Sequence, residues 1–224
     1  MTDVYCQLLF TTKALRRRGC GAAASLQALH AQSEGGWRAK GKAGTTSARI
    51  RVTRSGIGRE FAKRGLRPAE VFASMQAIVA TDVRMDVPVQ HRSGVRVDDL
   101  LAQLRRIGGV AIVAVDYSVV QDAGRGVTSF QGMHWVTVLG EDGAEVIVAD
   151  PLRRQTTRWP TSLLRHAMER FGKRPWLGGR GEAIVVWPWR TWRQGYASKS
   201  AEAKAASNEA AALRKALAAC EASK

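Results

Sequence analysis

The sequence predicts an α+β domain in which a helical N-terminal part is followed by a mainly antiparallel sheet. Three observations carry this prediction. Helical patterns dominate before Gly108-Gly109, and a continuous apolar run rich in β-branched residues begins directly after it. Glu141-Asp142-Gly143 then separates two further strand-like runs, and an Asp-Gly pair in that setting is a strong hairpin signal. With 224 residues, 45% of them hydrophobic, the chain is long enough to bury a full core.

The predicted helices begin at recognisable N-terminal signals. Gly19-Cys20-Gly21 is a turn signal, and the Ala-rich helix behind it carries almost no charge, which predicts a buried element. Pro68 stands at a favourable first position for another helix, and Asp98-Asp99 complement the macrodipole of a third. The predicted helices are residues 22–31, 58–65, 69–80, 97–106 and 162–171.

The predicted strands follow the change of period after Gly109. They are residues 110–115, 134–139, 145–149 and 182–187, and Pro188 ends the last of them. Residues 119–132 contain three glycines and are predicted to form a loop.

The C-terminal segment has a different composition. Residues 198–224 are rich in Ala, Lys and Glu and contain no aromatic residue, which predicts a helix that cannot form a core alone. We therefore expect a domain over residues 1–195 and a helical extension over residues 196–224. This extension either contacts another protein or stands as a solitary helix.

The chain carries a net charge of +16, which favours contact with polyanions. Basic residues are densest in residues 37–65, where nine of them face one acidic residue. A solvated loop with an Arg-rich composition is an equal alternative. No helix-turn-helix, zinc-finger spacing or RNP-type motif accompanies the charge, which weakens the nucleic-acid interpretation.

The compartment is predicted from three further features. No apolar stretch reaches the length of a membrane span, and the N-terminus lacks the basic-then-apolar pattern of a secretory signal. The three cysteines, Cys6, Cys20 and Cys220, are too few for a disulfide framework. We expect synthesis in a reducing cytoplasm, and release on lysis or packaging in a particle remain open.

Cys20 and His134 are the candidate nucleophile and base. Cys20 stands at a predicted helix N-terminus, where unpaired N–H groups and the helix dipole lower a thiol pKa. Gly21 would let a substrate backbone come close. His134 begins an apolar strand, which would desolvate its ring and fix its direction. Taken alone, each has an ordinary structural alternative, a small residue at the start of a core helix and a half-buried polar residue in a strand.

Asp150 is the candidate third member of the site. It follows His134 by sixteen residues, the length of two short strands and a tight turn. Because an antiparallel hairpin returns the chain to its starting level, Asp150 can accept a hydrogen bond from the His134 ring and orient it. The alternative is a plain Asp-Pro turn, with Pro151, after a strand.

These residues resemble the C39-like branch of the papain-fold cysteine peptidases. Residues 20–26, CGAAASL, are similar to the C-G-P-A-S/A-L signature, with Ala22 in place of the proline. Residues 134–140 and 146–151, HWVTVLG and VIVADP, resemble the H-x-V-V-V-x-G and V-x-D-P block. The resemblance implies a papain-like fold and a Cys20, His134 and Asp150 triad, and it covers residues 20–187, which is most of the chain.

The resemblance also implies an oxyanion hole formed by the Cys20 backbone N–H and a side-chain amide upstream. The glutamine that this family places six residues before the nucleophile is Ala14 here, and Gln7, thirteen residues before Cys20, is the amide available for that role. The oxyanion donor is therefore absent or displaced.

The resemblance implies a cysteine peptidase that cleaves a cell-wall peptide or a phage protein, similar to the domains of phage lysins and tail proteins. The first alternative is a catalytically inactive papain-fold component of a virion, docked to phage structural proteins through the C-terminal helix. The second is a polyanion-binding module that uses the basic loops. No cofactor is expected, and the histidines lack metal-ligand spacing.

Overall fold

The computed structural model describes residues 19–32, 67–81, 87–127, 132–172 and 181–188, all of which belong to one compact unit of the chain. Its helices are α1 (Cys20–Gln32), α2 (Pro68–Thr81), α3 (Val97–Ile107), α4 (Tyr117–Asp122) and α5 (Thr161–Gly172). Its strands are β1 (Val89–Ser93), β2 (Val110–Asp116), β3 (Met133–Asp142), β4 (Glu145–Ala149), β5 (Thr157–Pro160) and β6 (Glu182–Val186). None of the helices in these ranges is long and apolar enough to cross a membrane.

The six strands form one sheet in the order β1-β6-β2-β3-β4-β5, and every neighbouring pair is antiparallel. β2 lies inside the sheet between β6 and β3, and all seven of its residues are buried. The hairpin of β3 and β4 turns at Gly143, which has a φ of 63°. The predicted class, helices combined with an antiparallel sheet, is confirmed.

Helices cover both faces of this sheet and create two apolar cores. Val110, Ile112 and Ala114 of β2 pack with α1 and α2 in the first core. The alternate residues Ala111, Val113 and Val115 pack with α3, α4 and most of the buried face of α5 in the second core. Because successive side chains point to opposite faces, a strand between two cores is apolar throughout. This explains the uninterrupted apolar run of β2 in an antiparallel sheet.

Several predicted elements agree with the structure to within two residues. They include α1, α2, α3, α5 and the strands β2, β4 and β6. The predicted separation into a helical part and a sheet part is wrong, because α3, α4 and α5 lie between strands along the chain and helices pack on both faces of the sheet.

Three short elements were missed by the sequence prediction. The predicted loop 119–132 begins inside α4, whose start is capped by Asp116 accepting a hydrogen bond from the Ser118 N–H at 3.1 Å. β1 and β5 are edge strands with mixed exposure, so they lack the apolar pattern that marks the central strands. The predicted helix 58–65, the basic segment 37–65 and the extension 196–224 lie outside the described residues.

Candidate active site

Cys20 is the first residue of α1. The N–H of Ala23 donates to the Gly19 carbonyl at 2.9 Å and closes the first turn behind it. The N–H groups at the start of a helix have no partner within the helix, so the thiol lies at the positive end of the dipole. Only 6% of Cys20 is exposed. The sequence-predicted nucleophile thus occupies a buried helix N-terminus.

Close packing fixes α1 against β3. The Thr137 hydroxyl donates to the Ala24 carbonyl at 3.0 Å, and the Ser25 hydroxyl donates to the Gly21 carbonyl at 2.7 Å. A Cβ atom on Gly21 would lie 3.1 Å from Val71 Cγ2 and 3.3 Å from a carbon of the Trp135 ring. Gly21 therefore serves the approach of α1 to its own neighbours, which differs from the predicted role of admitting a substrate backbone.

The register of β3 and β4 leaves room beside His134. β4 ends at Ala149, opposite Thr137, whereas β3 extends further along β2 and pairs His134 with Val115. The chain then turns at Asp150, where the Arg153 N–H donates to the Asp150 carbonyl at 2.8 Å. This notch at the end of β4 is where the two predicted residues meet.

His134 and Asp150 form a buried ion pair. His134 Nε2 lies 2.8 Å from Asp150 Oδ1, and both residues are fully buried. The thiol of Cys20 interacts with the same imidazole. Because Nε2 is bound to Asp150, Nδ1 is the ring nitrogen that remains for proton exchange with the thiol. The structure therefore brings together all three residues of the sequence-predicted set.

The electrostatics of the set favour a charged thiol and a charged imidazole. Burial alone raises the pKa of the Cys20 thiol, but the hydrogen bond and charge of His134, with the backbone amides of Trp135 and Gly21, lower that pKa overall. Burial alone lowers the pKa of His134, but Asp150 and Cys20 together raise it to about 9. Both shifts favour the ion pair of thiolate and imidazolium over the neutral thiol and imidazole.

Asp150 stays ionised although it is buried. Burial alone raises the pKa of this carboxyl, but the hydrogen bond and charge of His134 outweigh it, with help from the Leu152 N–H and the Tyr117 hydroxyl, so its pKa is lowered. Leu152 N lies 2.9 Å from Oδ1, and Tyr117 OH lies 2.8 Å from Oδ2. These donors supply the hydrogen bonds that a buried carboxylate needs.

Sequence reasoning missed Tyr117, which is the first residue of α4. Its ring also contacts His134, with ring centroids 4.7 Å apart and planes at 63°. The only signal was an aromatic residue directly after a buried strand. Gln7, the predicted oxyanion donor, lies outside the described residues. Within the described ranges no three His, Cys, Asp or Glu side chains converge as metal ligands would.

No protein-family profile and no curated protein sequence matches this chain. Among solved structures, the chain is similar to the crystal structure of a candidate C39-like peptidase from Bacillus anthracis. The superposition has a TM-score of 0.39 at 16% sequence identity, and it spans 55% of this chain and 59% of that chain.

Proposed function

We propose that the protein is a papain-like cysteine peptidase of the C39-like type, with Cys20 as nucleophile, His134 as base and acid, and Asp150 as the residue that orients the imidazole. The observation that carries this proposal is the buried His134–Asp150 hydrogen bond of 2.8 Å next to a thiol at a helix N-terminus. A nucleophile, a base and an orienting carboxylate in that sequence of contacts are the parts of a catalytic triad.

The first half of the reaction forms an acyl-enzyme. The Cys20 thiolate attacks the carbonyl carbon of the scissile peptide bond, so a C–S bond forms and the carbonyl electrons move to the oxygen. The C–N bond then breaks, and His134 gives its Nδ1 proton to the departing amine. The products of this step are a thioester on Cys20, a free amine and a neutral imidazole.

The second half of the reaction is hydrolysis of that thioester. Neutral His134 takes a proton from water, the resulting hydroxide attacks the acyl carbon, and the C–S bond breaks to release a carboxylic acid and the thiolate. In both halves the oxyanion is proposed to accept a hydrogen bond from the Cys20 N–H, with Gln7 as the proposed second donor.

We propose a peptide substrate, either a cell-wall peptide or a phage protein. The matching assay incubates the protein with purified peptidoglycan and with phage structural proteins, and it scores new amino termini. Cleavage of one class by the wild type and not by Cys20→Ala assigns the substrate. Cleavage that persists in Cys20→Ala contradicts the assigned nucleophile.

The test of the nucleophile itself needs no substrate. Iodoacetamide should alkylate Cys20 far faster than Cys6 or Cys220 at pH 6, where an ordinary thiol is almost entirely protonated. His134→Ala should abolish that advantage because the imidazolium no longer stabilises the thiolate. Equal alkylation rates at the three cysteines would contradict the proposed peptidase activity. They would support the alternative of an inactive virion component, which retains the fold without an activated thiol.

A further inference from the structure

We propose that Tyr117 is a positioning residue of this site, which holds the Asp150 carboxylate in the orientation that serves His134. This inference rests on the proposed function. Tyr117 is completely buried, and it directly follows β2, an inner strand of the sheet. Its N–H donates to the Gly132 carbonyl at 2.8 Å, which ties it to the residue before β3.

The two carboxylate oxygens of Asp150 have separate duties. Oδ1 accepts from His134 Nε2 at 2.8 Å and from the Leu152 N–H at 2.9 Å. Oδ2 accepts from the Tyr117 hydroxyl at 2.8 Å. Because Asp150 is fully buried, loss of the hydroxyl leaves Oδ2 without this donor in a site closed to bulk water. A buried carboxylate oxygen that has lost its donor is stabilised when the carboxylate rotates and brings it to another donor. This rotation moves Oδ1 away from His134.

The Tyr117 ring constrains the imidazole as well. Its contact with His134 is edge-to-face, with centroids 4.7 Å apart, a geometry that aromatic pairs prefer. One side chain therefore limits both the rotation of the carboxylate and the tilt of the ring that it orients. Burial, followed by the negative charge and hydrogen bond of Asp150, raises the pKa of the Tyr117 phenol above its ordinary value. The hydroxyl consequently stays a donor across the physiological pH range.

The test compares Tyr117→Phe with the wild type, both carrying Cys6→Ser and Cys220→Ser so that Cys20 is the only thiol. The alkylation rate with iodoacetamide is followed from pH 4 to pH 10. Ionisation is recorded in parallel from thiolate absorbance at 240 nm, which does not depend on reagent access to a buried sulfur. Loss of a hydrogen bond to a charged group should move the thiolate midpoint up by about one pH unit, and it should lower the rate roughly tenfold at pH values below both midpoints. The rate at pH 10, where any thiol is ionised, should stay the same.

Ser118→Ala is the matched control. Ser118 is the neighbour of Tyr117 in α4, and its hydroxyl donates to Asp116 Oδ1 at 2.6 Å. The substitution removes this hydrogen bond and leaves those of Asp150 in place. If Tyr117→Phe acted only by loosening α4, Ser118→Ala would change the thiolate midpoint in the same way. An unchanged midpoint in Ser118→Ala supports positioning.

A double-mutant cycle with Asp150→Asn completes the test. If Tyr117 acts through Asp150, Tyr117→Phe should change the rate less than twofold in the Asp150→Asn background. Fully additive effects, or a Tyr117→Phe midpoint equal to that of the wild type, would overturn the inference and leave the proposed peptidase intact. A wild-type Cys20 that ionises like an ordinary thiol would overturn both, so the two failures are distinguishable.

Discussion

The effect of Gly21→Ala on stability can be worked out from the contacts that the added Cβ would make. The added Cβ would lie 3.1 Å from Val71 Cγ2 and 3.3 Å from a carbon of the Trp135 ring, both closer than ordinary van der Waals contact. Val71 and Trp135 are completely buried, so neither can move aside without disturbing the first core. Such overpacking destabilises by about 1–3 kcal/mol. Alanine regains at most about 1 kcal/mol of helix propensity.

The expected result is a net loss of about 1 kcal/mol in the free energy of unfolding, the middle of the overpacking range less the alanine gain, measured by urea denaturation. Because the clash pushes α1 away from β3, the Cys20 sulfur also moves away from His134, and its alkylation rate at pH 6 should fall severalfold. Gly140→Ala is the control, since a Cβ there meets nothing within 4 Å. A Gly21→Ala protein as stable and as reactive as Gly140→Ala would refute the packing argument.

Three further substitutions test the surrounding contacts. Thr137→Val removes the 3.0 Å hydrogen bond to the Ala24 carbonyl, and urea denaturation should show a loss of about 1 kcal/mol. Asp150 has a folded pKa below its unfolded value, so its contribution to stability is present above about pH 4 and is lost as pH falls through the folded pKa. The Tm of Asp150→Asn should therefore fall less steeply toward acid pH than the Tm of the wild type. Equal slopes would contradict the ionised carboxylate. Glu182→Ala breaks the 2.7 Å pair with His91 between β6 and β1. Loss of this hydrogen bond should cost about 2 kcal/mol and accelerate hydrogen exchange in β1, while the thiolate midpoint of Cys20 stays unchanged.

The residues of the site differ in how far the sequence alone could place them. His134 and Asp150 stand at the two ends of a hairpin, so chain length and an Asp-Gly turn suffice to bring them together. Cys20 stands at a helix start that its flanking glycines mark. Its distance from His134 depends on how α1 packs on β3, which is a tertiary fact. Tyr117 gave no pattern, because only the register of β2 with β3 and the turn after it set its hydroxyl against Asp150.

The fold shows the same division between local and long-range information. β2 and β4 were predictable because burial leaves an apolar run, and α3 because acidic and basic residues stand at its proper ends. The edge strand β1, VQHRS, is held by pairing with β6 and reads as polar, so nothing local distinguishes it from a loop. The covering of both sheet faces by helices also follows from packing, and no local pattern reports it.

The notch at the end of β4 has a consequence for how the protein is made. Cys20 belongs to the helices of the first core, Tyr117 belongs to the second core, and His134 lies in the sheet between them. A chain in which α1 has not packed on the sheet therefore lacks the His134 contact that lowers the pKa of the Cys20 thiol. Thiol reactivity toward an alkylating reagent therefore reports the packing of α1 on the sheet as well as the chemistry of the site.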